Sequence, residues 1–201
     1  MIRLITLVLV SIFITNVSLA QFHLGIKAGV NVNSLSWNGQ PADSGFQTKS
    51  SIAFHIGLFS KIQATEKLSV IPELQYSVKG FKSGDARTDL SYIDLPVMMS
   101  YSLVKALSID LGPEVGYLLL ARQHFNGHSV DRDVFKKVDF GIAAGLRVNI
   151  TEKISIIPRY YYGITPVIEI TDATGPSVNN IAGTFPAHNQ TIQFSVAYQL
   201  R

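Results

Sequence analysis

VDFGIAAGLRVNI, residues 138–150, decides the fold class of this chain. Val138, Phe140, Ile142, Ala144, Leu146, Val148 and Ile150 are apolar, and between them stand Asp139, Gly141, Ala143, Gly145, Arg147 and Asn149. Successive side chains of an extended strand point to opposite sides, so strict alternation describes a strand with two unlike faces. One face is bulky and greasy. The other is small, and where it is not small it is charged.

The same alternation recurs along the chain. Reading outward from residues 138–150, the apolar phase runs through Phe22–Val32, Ile52–Ile62, Leu68–Val78, Ile93–Leu103, Leu107–Leu119, Ile154–Ile164 and Ile192–Leu200, which makes eight strands in all. No residue of that phase is charged. The interleaved phase carries Lys27, Lys61, Glu73, Lys79, Asp94, Asp110, Glu114, Asp139, Arg147 and Arg159, together with Gly25, Gly29, Gly57, Gly112, Gly116, Gly141, Gly145 and Gly163. Volume decides which phase is inside. An eight-stranded barrel has an interior just wide enough to be filled by side chains. The Leu, Ile, Val, Phe and Tyr set is too large for that space, and the Gly-rich set with its charges fits it. The apolar face therefore points outward, which needs lipid around it. A soluble lipocalin-like barrel requires the reverse arrangement. The expected fold is all-β: an eight-stranded antiparallel up-and-down transmembrane β-barrel.

The connections agree. Gln63–Lys67, Val104–Ala106 and Thr151–Lys153 are tight, whereas 33–51, 80–91, 121–137 and 165–190 read as long loops. Short turns alternating with long loops is the outer-membrane pattern, with short turns and both mature termini periplasmic. TEKLSVIP at 65–72 is repeated as TEKISIIP at 151–158, each opening a strand after a short turn. Pro72, Pro96, Pro113 and Pro158 fall inside strands that have no free edge, so bulges or ladder gaps are expected beside them.

Residues 1–20 read as a secretory signal peptide: Arg3, then an apolar core from Leu4 to Ile14, then Ser18-Leu19-Ala20 before the expected cleavage at Gln21. The mature barrel domain is then 21–201. Charged residues are 15% of the chain, below the roughly 25% of soluble domains, and apolar residues are 47%. Cysteine is absent, which removes disulfides, thiol catalysis and a lipid-modified cysteine. A net charge of +3 is too small to suggest a nucleic-acid partner.

Tyr92-Ile93-Asp94-Leu95-Pro96, Gly112-Pro113-Glu114-Val115-Gly116-Tyr117, Asp139-Phe140-Gly141 with Gly145-Leu146, Arg159-Tyr160-Tyr161-Tyr162-Gly163 and the closing strand Gln193–Leu200 resemble the PorT-like family of outer-membrane β-barrel proteins, widespread in the Gram-negative Bacteroidota. The resemblance spans 21–201. It implies a multi-pass barrel of the cell outer membrane, no enzymatic activity and no cofactor. The partners it implies are outer-membrane lipid and, during biogenesis, the barrel-insertion machinery.

Three groups of residues are candidates for function. The lumen acids Glu73, Asp94, Asp110, Glu114 and Asp139 face the bases Lys27, Lys61, Lys79, Arg147 and Arg159. Buried charges must be paired, so these are expected to form a plug of salt bridges; the alternative is a narrow ion or small-ligand conduit. His124 and His128, with Asp131 and Asp133, have metal-ligating chemistry but no tight ligand spacing, and read as a polar loop. Trp37, Ile168, Ile170, Ile181 and Phe185 lie in long loops, where they contact a protein partner or pack over the barrel mouth. No nucleophile elbow or zinc motif accompanies His23, His55 or His188. A membrane-embedded lipid-modifying enzyme is the third reading, and no catalytic, cofactor or metal residue is assigned.

Overall fold

The computed structural model describes residues 22–37, 48–125, 128–131, 134–175 and 178–200. The expected signal peptide and Asp133 lie outside them. Ten strands form one sheet: β1 (Phe22–Trp37), β2 (Lys49–Gln63), β3 (Leu68–Ser83), β4 (Ala86–Val104), β5 (Leu107–Phe125), β6 (His128–Asp131), β7 (Val138–Asn149), β8 (Ile154–Gly163), β9 (Ile168–Gly175) and β10 (Val178–Gln199). Eight of them run β1-β2-β3-β4-β5-β7-β8-β10, every pair antiparallel, and β10 pairs back with β1 to close the ring. The short β6 pairs with β5 and β9 with β10, outside the ring. The chain is a closed eight-stranded antiparallel barrel.

The faces are as the alternation requires. Outward side chains such as Ile52 and Val196 are 67% and 58% exposed, whereas inward Lys27 and Lys79 are 1% and 0% exposed. A protein that exposes its Ile and Val and buries its Lys is dissolved in lipid.

The tight turns join β2 to β3, β4 to β5 and β7 to β8. The repeated TEK sequences make the same turn twice. The Thr65 hydroxyl accepts from Leu68 N at 3.1 Å and the Thr151 hydroxyl accepts from Ile154 N at 3.0 Å. Ser69 donates to Gln63 at 2.9 Å, and Ser155 donates to Asn149 at 2.8 Å. The repetition is a hairpin solution used twice.

The other end departs from expectation. The stretches expected as loops at 80–91, 121–137 and 165–190 are largely strand. β3 and β4 pair as far as Ser83 opposite Ala86, β5 folds back on β6 at Phe125 opposite His128, and β9 pairs with β10 from Ile168 opposite Ala187 to Gly175 opposite Val178. The ladder continues past the lipid-facing band because hairpin partners already in register gain hydrogen bonds with each further pair. The strands therefore project as long hairpins.

The proline expectation is met by gaps. The β2–β3 ladder skips from Phe59–Glu73 to Ile62–Val70, past Pro72; β3–β4 skips from Pro72–Val97 to Gln75–Asp94, past Pro96. β4–β5 skips from Pro96–Glu114 to Met99–Leu111, past Pro113, and β7–β8 skips from Gly145–Arg159 to Val148–Ile156, past Pro158. Register is unchanged across each gap. Each proline turns its missing N–H toward the preceding strand and keeps its pairing on the following side, so two successive partner pairs drop out of one ladder and the strand does not bulge.

Candidate functional site in the lumen

Inward-facing charge is possible here because glycine stands beside it. Asp94 is paired with Gly116, which is paired with Asp139; Asp110 is paired with Gly145, which is paired with Arg159. A Cβ on Gly116 would lie 2.5 Å from Asp94 Oδ1, and one on Gly145 would lie 3.0 Å from Arg159 Cα. The interleaved glycines are the space that the large polar side chains occupy.

Those side chains form three groups along the barrel axis. Nearest the short turns, Arg147 Nε and Nη2 donate to Asp110 Oδ2 at 3.1 and 2.8 Å, with the guanidinium 5.8 Å from the Phe59 ring centre. At mid-height, Arg159 Nη1 and Nη2 donate to Glu73 Oε2 and Oε1, both at 2.8 Å, and Lys27 donates to the same carboxylate. Toward the hairpin end, Lys79 Nζ lies 3.1 Å from Glu114, 3.3 Å from Asp94 and 3.4 Å from Asp139, and 4.0 Å from the Tyr161 ring centre. Asn189 donates to Asp139 at 2.8 Å. All five expected acids have basic partners, as do four of the five bases. Lys61 has no carboxylate within ion-pair distance among the described residues.

Between the two upper groups lies a network that alternation did not disclose. His55 Nε2 is 2.8 Å from Ser195 Oγ and Nδ1 is 2.7 Å from Asn31 Oδ1, while Asn31 Nδ2 donates to Ser77 at 3.0 Å. This Ser–His–Asn relay has the order of a nucleophilic triad, but Ser195, His55 and Asn31 are 3%, 1% and 0% exposed. It fills the lumen, and a substrate has no approach to the hydroxyl.

Above the charges the lumen turns apolar. Leu90, Tyr92, Leu118, Ala121 and Phe135 form one buried cluster and Leu35, Val167 and Ala187 another, with Phe81 and Ile168 packed against both and Trp37 against the second. Trp37 and Ile168 therefore pack over the mouth. His124 lies 2.8 Å from Ser129 Oγ and 3.5 Å from Asp89, Asp131 is held by Arg122 at 3.1 Å, and His128 stands opposite Phe125, so these residues are not gathered on one point. Among the described residues, no three His, Asp or Glu side chains are gathered so as to hold a metal ion. Phe185 is placed by register opposite Ile170, and Ile181 opposite Ala173.

The plug could have been found by carrying the inward phase beyond the strand ends expected from sequence, where Asn31 and Asn33 give way to Leu35 and Asp94 gives way to Tyr92 and Leu90. The third hairpin had its own signal, Asn126-Gly127 between Phe125 and His128, a two-residue sequence that favours hairpins.

A family model described as an outer membrane protein beta-barrel domain matches residues 16–169. Among solved structures, Neisserial surface protein A is similar at a TM-score of 0.53 and 12% identity, covering 88% of this chain and 97% of that one. Ail, the attachment invasion locus protein of Yersinia pestis, gives 0.47 and 15%, covering 89% and 99%. Outer membrane protein W of E. coli gives 0.44 and 14%, covering 89% and 97%. At 12% identity the likeness to Neisserial surface protein A is one of fold. No curated protein matches the chain significantly.

Proposed function

Because the chain belongs to the outer membrane protein beta-barrel domain family, and so to the outer membrane, we propose that it works there as a non-enzymatic, plugged barrel that holds a protein partner through its long hairpins. The observation that carries this reading is the filled lumen. Arg159 on β8 and Glu73 on β3 tie opposite walls together, and an apolar plug lies above them. A barrel with a closed interior has its ends left for function. Phe125, Val130 and Val134, all more than half exposed around the β5–β6 hairpin, support a protein surface as the contact. By the rule for such barrels, the short turns and both mature termini are periplasmic and the hairpins are extracellular, after removal of residues 1–20. The Gly-Pro, Asp-Phe-Gly and Arg-Tyr strand motifs support a place in the PorT-like group of Bacteroidota.

Planar-bilayer recording together with mild crosslinking in native outer membranes tests the reading. The expected result is no steady conductance and a discrete crosslinked protein that is lost when 123–131 is replaced by a short Gly-Ser turn. Conductance abolished by exchanging Arg147 or Arg159 would favour the ion conduit instead. Turnover of outer-membrane phospholipid or lipid A would overturn the non-enzymatic assignment.

A further inference from the structure

The short-turn end of the lumen is a cup of about 290 Å³, open to solvent. Its buried lining is Phe59, Ala197 and Arg147; Lys61 is half-buried in it; Lys105 and Lys153 are exposed on it. The two exposed lysines come from different turns, β4–β5 and β7–β8, so the positive charge converges from separate parts of the ring. Among the described residues, Glu152 is the only acid of the lining. Arg147 is already answered by Asp110, whereas Lys61, Lys105 and Lys153 have no carboxylate within ion-pair distance among the described residues.

Three ammonium groups share one concavity with a single acid, Glu152, and so repel one another, and holding Lys61 half-withdrawn from water, with no carboxylate at ion-pair distance among the described residues, costs free energy. A bound anion removes both penalties. The converging charges call for a ligand with more than one negative charge, and a phosphate monoester carries about −1.5 to −2 near neutral pH. The cup holds the liquid volume of about ten waters at ~30 Å³ each and lies at the small end of ligand pockets. Phe59 and Ala197 offer apolar surface to a short carbon skeleton. We propose that this cup is a binding site for a small organic phosphate, with Lys61 as the central contact and Lys105 and Lys153 at the rim. The site does not depend on the hairpin reading above; the periplasmic orientation only decides which compartment supplies the ligand.

Isothermal titration of the refolded mature barrel (21–201) in maltoside micelles with glycerol 3-phosphate, pyrophosphate and neutral glycerol tests it. Saturable binding is expected for both phosphates and not for glycerol, weakening as salt rises. Lys61→Gln is expected to weaken it about ten-fold, the scale of one charge-assisted contact. The pair Lys105→Gln and Lys153→Gln is expected to weaken it about three-fold, as suits solvated charges. Heat-modifiable gel migration verifies that each variant is folded. Titration repeated in phosphatidylglycerol and phosphatidylcholine vesicles separates the sources. Affinity kept in both assigns the site to a soluble phosphate. Affinity lost only in phosphatidylglycerol assigns it to a lipid phosphate. No saturable binding by the folded barrel, equal binding of glycerol, or an unchanged affinity in Lys61→Gln overturns the proposal.

Discussion

Arg159 grips both oxygens of Glu73 at 2.8 Å from a strand on the opposite side of the ring. β3 and β8 stand four places apart in a closed circuit of eight, so the pair crosses the full width of the lumen. Both side chains are almost completely buried. The tie fixes the distance between opposite walls and blocks the axis with one contact.

Removing the shared acid should therefore cost more than removing one of its two bases. Glu73→Gln leaves Arg159 and Lys27 facing a neutral amide, and stranding buried charge costs about 3–5 kcal/mol. Arg159→Met leaves Glu73 with Lys27 and should cost less. The double variant should be more stable than the sum of the single effects predicts, because the two groups form one unit. Urea unfolding in lipid vesicles, followed by gel migration of the folded and unfolded forms, measures all three. Additive losses would mean that the pair contributes no coupling.

Two glycines should respond to substitution for different reasons. A Cβ on Gly116 would sit 2.5 Å from the Asp94 carboxylate and 3.2 Å from the Tyr92 ring, so Gly116→Val overfills the upper charge group. Overpacking of this kind costs about 1–3 kcal/mol. Gly84 has φ +57 and nothing within 4 Å of its would-be Cβ. Gly84→Ala meets only backbone strain, about 1 kcal/mol. The same unfolding measurement separates them, and Gly116→Val should also lower the yield of refolded barrel.

The outward face and the short turns were legible because both are local. Alternation is a property of one strand, and TEK followed by an apolar residue is a property of one turn. The prolines were legible for the same reason, since a missing N–H needs no knowledge of its neighbour. Which charges meet was not legible. Glu73 joins Lys27 and Arg159, and Lys79 joins Asp94, Glu114 and Asp139, through the stagger of strands around the ring, and period two is silent about stagger. Lys61 shows the limit: its phase was read correctly, yet it belongs to the end cup and not to a pair. The long hairpins were not legible in the alternation, because a ladder that projects beyond lipid needs no apolar face.

Trp37 is the single tryptophan of the chain, and like Phe81 it packs against the Leu35, Val167 and Ala187 cluster of the hairpin-end plug. Phe81 also touches the neighbouring cluster, its ring 6.4 Å from that of Phe135. Phe81→Ala should loosen both, at a cost of about 2 kcal/mol for a half-buried ring. Intrinsic fluorescence reads the effect directly. The emission should shift to the red and acrylamide quenching should increase, while the barrel remains folded on gels. An unshifted spectrum would place Trp37 outside the plug.

The duplicated turns allow a test of independence. Thr65 and Thr151 each accept from the amide three residues on, at 3.1 and 3.0 Å, and each also accepts from the amide two residues on, at 3.4 and 3.2 Å. Thr→Val keeps the side-chain shape and deletes the acceptor, so each change should cost about 1 kcal/mol. The turns join β2 to β3 and β7 to β8, on different parts of the ring, with no shared partner. The double variant should therefore lose about 2 kcal/mol, the plain sum expected of distant sites. The hairpin end should be unaffected, because the hydroxyls act only on their own turns. Unfolding of T65V, T151V and the double variant in one lipid supplies the sum, and Trp37 emission supplies the control. A loss well beyond the sum would mean that both turns close the barrel in one cooperative step, not that each shapes its own hairpin.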